Sequence, residues 1–224
     1  MRSEIRRGCP SKTVFVTTSP ILGNSSSGSK NFTVPASAST SATSPGTPGV
    51  HVRLAQPDDA LCLSVLAMQV FLDTYATEGI RPQLAREVLS SYSQAVFVAA
   101  LSDSGSRVCV AEHAGSLIGF AQVTLGAQHD LAPAGQQAEL LRLYVQEPFT
   151  GKKVGTLLLA RAERLALEGG ASVLWLTPWV HNHRALAFYL RRGYEDFGLT
   201  YFVLEGESHE NRVHAKHLRA ASAA

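Results

Sequence analysis

One stretch constrains the fold more than any other. Residues 139–170 read ELLRLYV, then QEPFTGKK, then VGTLLLARAERLALEGG. The first seven are apolar on both faces except at Glu139 and Arg142, the composition of a strand buried in the middle of a sheet. Pro148 stops that strand, because proline has no N–H to give to a ladder. From Val154 or Gly155 the period becomes helical. Val154, Leu157, Leu158, Ala162 and Leu165 fall on one face, and Arg161, Glu163, Arg164 and Glu168 on the other. Gly169 and Gly170 end the helix, as glycine does at a helix C-terminus.

Between strand and helix lies Thr150, Gly151, Lys152, Lys153, Val154, Gly155, with Thr156 following. Unpaired N–H groups at a helix N-terminus, together with successive loop amides, attract anions. Lys152 and Lys153 add charge, and Gly151 and Gly155 let a ligand approach the backbone closely. A diphosphate suits this loop, and a surface turn with two solvated lysines accounts for it equally. Neither the P-loop run nor G-x-G-x-x-G is present, so those two nucleotide-binding modes are set aside.

The remaining chain divides sharply by composition. Residues 1–48 include GNSSSGSKNFTVPASASTSATSPGTPG, which has too little apolar surface to offset its ordering entropy and is predicted to be disordered. MRSEIRRG is basic, but no apolar core of a secretory signal follows it. An organelle transit peptide, an over-extended start and an inert tail all remain open. Across 224 residues, 45% hydrophobic content supports a real core. A net charge of +2 gives no strong pull toward nucleic acid or an anionic membrane. Cys9, Cys62 and Cys109 are too few and too scattered for a disulfide framework or a zinc knuckle, which favours a reduced, cytoplasmic setting. No apolar run is long enough to span a bilayer.

The domain over 49–219 opens with VHVRLA as a strand, then PDDALCLSVLAMQVFLDTYA and PQLAREVLSSY as helices. SQAVFVAAL reads equally as helix or strand. VCVAEH and LIGFAQV form a hairpin around a short glycine-containing turn and lead to the Glu139 strand. After the glycine-ended helix come SVLWLT as a strand, HRALAFYLRRG as a helix, and two closing strands. The expectation is an α/β fold, a mixed sheet with helices on both faces.

This order, the TGKKVG loop and the segment NHRALAFYLRRGY resemble the GNAT superfamily of acetyl-CoA-dependent N-acetyltransferases. The loop resembles that family's Q/R-x-x-G-x-G/A signature, with Thr150 where Gln or Arg is usual and Lys153 where a glycine is usual. A lysine amide there can still donate to a diphosphate, but only if its backbone angles are ordinary ones. Asn182, Ala185, Phe188, Tyr189, Gly193 and Tyr194 match the second signature. The C-terminal segment is similar to PaiA-like polyamine acetyltransferases. The resemblance implies a mostly antiparallel sheet whose parallel central strands splay to admit acetyl-CoA. It implies that Leu143, Tyr144 and Val145 meet the pantetheine arm through main-chain groups and that residues 150–156 hold the diphosphate. It also implies that Asn182 bonds the co-substrate, although capping the helix that follows explains an Asn there too.

The chemistry sets the remaining expectations. An amine attacks a thioester only when neutral, and an alkyl ammonium resembles lysine, with a pKa of about 10.4. A base is needed, for which the resemblance nominates Glu139, six residues before Val145. A solvated carboxylate, or one paired with Arg142, would look the same. Tyr189 is the implied acid toward the sulfur, and the Val145 N–H the donor to the carbonyl oxygen. Arg192 reads most simply as a solvated arginine at a helix end. Asp73 and Glu78 flank a helix break over the acceptor region, where a solvated turn is the simpler account. His181, His183, His209, His214 and His217 match no zinc spacing, so no metal is expected. The expected acceptor is a small primary amine such as a polyamine. A protein lysine or N-terminal acetyltransferase and a silent acyl-CoA sensor are the alternatives. Neither nucleic acid nor membrane is an expected partner, and a homodimer stays open.

Overall fold

The computed structural model describes residues 49–204 and 207–219. The stretch 1–48, with its expected disorder, lies outside the described residues. Among the described residues seven strands form one sheet in the order β1-β2-β3-β4-β5-β7-β6. They are β1 Val50–Leu54, β2 Ser106–His113, β3 Ser116–Leu125, β4 Gln137–Val145, β5 Val173–Leu176, β6 Glu195–Leu204 and β7 Glu207–His217. Every pairing is antiparallel except β4 with β5.

Among the described residues five α-helices accompany the sheet: α1 Ala60–Tyr75, α2 Pro82–Ser91, α3 Gln94–Ser102, α4 Val154–Glu168 and α5 His183–Leu190. The ambiguous SQAVFVAAL is α3. It packs on α1 and β2 through Phe97, and its remaining apolar positions are half-buried or exposed. Its short apolar run carries no period that separates helix from strand.

The two faces of the sheet carry separate cores. Leu140, Leu143 and Val145 of β4 pack with Val154, Leu158, Ala162 and Leu165 of α4 and with Phe188 and Tyr189 of α5. Tyr144 packs on the opposite face with Phe71 of α1, Tyr92, Phe97 of α3 and Phe120 of β3. The buried stripe of α4 also takes in Leu159 and Ala166, while Leu157 is half-buried at its margin. α4 sits close to the sheet because β3 offers Gly119. A Cβ there would lie 2.7 Å from the Tyr144 carbonyl oxygen and 3.1 Å from Leu158 Cδ1.

Candidate active site

The site is built on an irregularity in β4. Against β3, Arg142 lies opposite Gln122 but Leu140 lies opposite Val123, so Leu141 is an extra residue, a bulge. The bulge changes the parity of the strand. Leu140 and Leu143, an odd number apart, both reach the α4 face, while Arg142 and Tyr144 keep to the other.

On its other edge β4 pairs with β5 only at Gln137–Val173, Ala138–Leu174 and Glu139–Trp175, and the two strands then part. Gln146 N–H donates to Ile118 O at 3.0 Å, so residues 144 and 146 direct their main-chain groups to β3. Alternation turns the N–H and C=O of Leu143 and Val145 the other way, into the opening between β4 and β5. The three expected main-chain contacts are therefore divided: Leu143 and Val145 face the opening, whereas Tyr144 is tied to Phe120.

Glu139 stands at the point of parting. It is only 7% exposed, which removes the solvated reading, and it pairs in register with Trp175 on one side and Thr124 on the other. Arg142 is not its salt-bridge partner. Its guanidinium, 3% exposed, donates to Gln122 Oε1 at 2.6 Å and to the Ser91 carbonyl at 3.4 Å, and lies over the rings of Tyr92 and Phe97.

The loop before α4 has backbone of alternating hand. Gly151 has φ +72° and Lys153 φ +63°, so the condition of ordinary angles at the lysine is not met. A left-handed non-glycine residue costs about 1–2 kcal/mol. Such a turn gathers successive N–H groups into a concavity suited to an anion. No side chain caps the start of α4, so the first-turn amides of Val154, Gly155 and Thr156 lack an intrahelical or capping partner. Thr150 does not point a charge at this site. Its hydroxyl donates to the Glu147 carbonyl at 2.9 Å. Lys152 Nζ lies 5.5 Å from the centre of the Phe149 ring.

At the start of α5, Asn182 Oδ1 accepts from the Ala185 N–H at 3.1 Å, which is the capping role. Tyr189 is fully buried, wedged against Phe188 and Tyr194, and its hydroxyl has no partner among the described residues. Burial pushes that hydroxyl far above the ordinary tyrosine range. It thus stays protonated throughout the neutral range. Arg192 is not a solvated helix-end arginine. It is half-buried, lies over Phe188, and donates from Nη2 to Thr156 Oγ1 at 2.6 Å, joining α5 to the first turn of α4.

From the sequence, Trp175 and Trp179 read as core and cleft-wall residues, and the rest of the aromatic face was missed. Trp179 stands 5.5 Å from Tyr75, Tyr75 is 4.6 Å from Phe71, and Phe71 is 5.0 Å from Tyr92, measured between ring centres. Tyr92 and Tyr144 share a buried hydroxyl contact at 3.0 Å, and burial pushes the Tyr92 hydroxyl up to about 12. The spacing Phe71, Tyr75 on α1 was the available signal. Asp73 and Glu78 are exposed. His181 and His183 are also exposed, and His214 is buried with its ring held below the usual histidine range by burial. No cluster of His, Cys, Asp or Glu that could hold a metal occurs among the described residues. Nor is any helix among them long and apolar enough to cross a membrane.

The candidate site thus combines a strand pair that opens at a buried carboxylate, a turn of alternating hand into α4 and a buried tyrosine hydroxyl with no partner among the described residues. The acetyltransferase (GNAT) family profile matches residues 71–194, and the chain belongs to that family. It is an acyltransferase with acetyl-CoA as co-substrate. The spermidine N(1)-acetyltransferase of Thermoplasma acidophilum is 28% identical over 147 residues, 61% of this chain and 78% of that protein. The aminoalkylphosphonate N-acetyltransferase of Salmonella typhimurium is 34% identical over 99 residues, 44% of this chain and 63% of that one. In fold, the chain is similar to the PaiA N-acetyltransferase of T. acidophilum solved with coenzyme A. The TM-score is 0.60 at 23% identity, covering 75% of this chain and 98% of the other.

Proposed function

We propose that this enzyme moves the acetyl group of acetyl-CoA to a primary amine of a small cytoplasmic molecule, a polyamine foremost, by direct attack on the thioester. The observation that carries the reading is the position of Glu139. It is a buried carboxylate where β4 and β5 part, on the strand whose Val145 N–H faces the same opening. Acetyl-CoA supplies the activated acyl group. Glu139 takes the proton that the attacking amine loses, directly or through water. The Val145 N–H bonds the carbonyl oxygen as negative charge develops there, and Leu143 lines the same edge. Tyr189 gives its proton to the departing sulfur, so the nitrogen–carbon bond forms as the carbon–sulfur bond breaks and the thiol leaves neutral. Residues 150–156 hold the diphosphate, with Gly151, Lys152 and Lys153 forming the turn and Val154, Gly155 and Thr156 presenting amides. Asn182 fixes the start of α5 and so the position of Tyr189.

Support for a small amine comes from the spermidine and aminoalkylphosphonate acetyltransferases among the relatives. The deciding experiment follows thiol release from acetyl-CoA with spermidine, spermine, amino acids and lysine-bearing peptides. Wild type is compared with Glu139→Gln and Tyr189→Phe. Release with small amines, lowered in both variants, is the expected result. Release only with peptides makes the protein a protein acetyltransferase. Binding of CoA with no release on any acceptor makes it a sensor.

A further inference from the structure

We propose that Trp179 and Tyr75 form a cation–π subsite for the second ammonium of a diamine or polyamine acceptor, an inference that rests on the small-amine reading above. The two rings come from opposite sides of the strand opening. Tyr75 ends α1, which packs on β3 and β4, and Trp179 lies in the loop after β5. Both are half-exposed, whereas Phe71, Tyr92 and Tyr144, which continue the row of rings inward, are buried. Tyr144 adjoins Val145, so the row leads from the surface to the residue beside the proposed oxyanion donor.

The Trp179 loop is held in place rather than loose. The Val180 N–H donates to Glu210 O at 3.1 Å, and the Arg212 N–H donates to Pro178 O at 3.0 Å. Asn211 is bridged to Trp179 and donates from Nδ2 to Thr177 O at 2.8 Å. His181 stands edge-on to Trp179 at 4.9 Å and steadies the ring. Two ring faces held this way present negative charge density to a cation, and the methylenes of the acceptor suit the same apolar surface. In sequence, residues 73–79 around Tyr75, DTYATEG, carry Asp73 and Glu78 and no cation, while His181, His183 and Arg184 follow Trp179. A second ammonium gains the two rings, and a monoamine has nothing to place there.

The test measures kcat/KM for 1,4-diaminobutane, 1-aminobutane and 2-aminoethylphosphonate in wild type, Trp179→Leu, Trp179→Phe and Tyr75→Leu. The preference for the diamine over the monoamine is expected to fall about tenfold in Trp179→Leu and about fivefold in Tyr75→Leu. Trp179→Phe should keep most of it. A preference unchanged in both leucine variants, or a phosphonate favoured over the diamine, overturns the proposal. A second readout does not depend on turnover. In Trp175→Phe, Trp179 is the single tryptophan, and its fluorescence should respond saturably to the diamine at about tenfold lower concentration than to the monoamine. Equal responses overturn the subsite even if acetyl transfer is found. A selective response without thiol release from any amine upholds the subsite and sinks the transferase reading.

Discussion

Along its β3 edge β4 is paired from Ala138 to Val145, while along its β5 edge pairing covers only Gln137, Ala138 and Glu139. One strand thus serves as scaffold on one side and turns the main chain of Leu143 and Val145 toward an opening on the other. Neighbouring residues divide the work. Tyr144 directs its main chain to β3 and its ring to the α1 face, and Val145 directs its main chain to the opening and its side chain to α4. The comparison teaches that fold and chemistry are separated here by the two-residue period of a strand, so changes one position apart should have unlike effects.

The sharpest break uses proline at both positions. Tyr144→Pro removes a ladder bond and a buried ring, and is expected to cost more than about 4 kcal/mol and leave no folded protein. Val145→Pro leaves the β3 ladder intact, removing an N–H that faces the opening and trimming one buried side chain. It should give a folded protein by circular dichroism, with kcat lowered about 100- to 1000-fold. Similar melting temperatures for the two variants would defeat the division. Next in size, Glu139→Gln should lower kcat/KM about 100-fold or more and flatten the acid limb of its pH profile, while shifting stability by less than about 1 kcal/mol.

Tyr189→Phe separates the two properties by sign. Activity should drop about 100-fold as the proton donor goes, yet stability should rise by about 1 kcal/mol because an unpartnered buried hydroxyl is removed. Thermal melts beside steady-state rates decide it, and a destabilised variant would mean that the hydroxyl is already satisfied. The smallest effects come from Lys153 and Ala114, the two non-glycine residues with left-handed backbone among the described residues. Replacing either with glycine should stabilise by about 1 kcal/mol. Only Lys153→Gly should change the KM for acetyl-CoA, by about threefold, since Ala114 lies in the β2–β3 turn.

Much of this was legible from residues alone. The strand–loop–helix run from Glu139, the glycine stop after α4 and the Asn182 cap are local signals, and local signals survive folding. The bulge at Leu141 was not visible, because ELLRLYV is apolar on both faces and offers no alternation to interrupt. Its one trace is Glu139 and Arg142, polar residues an odd number apart in a strand that is otherwise apolar. Arg192 was misread for a related reason. Its partner, Thr156, is 36 positions away, and only tertiary packing brings α5 against the first turn of α4. The contact of Trp179 with Tyr75 likewise joins residues from two separate elements.

A sheet ordinarily has two edges, and the early parting of β4 from β5 gives this one four. The inner pair lies in the middle of the molecule, where no second chain can add a strand, so it escapes the aggregation hazard of an outer edge. It should still betray itself to deuterium. The amides of Leu143 and Val145, buried but turned away from the β3 ladder, should exchange faster than that of Tyr144 between them. Saturating acetyl-CoA should erase that contrast.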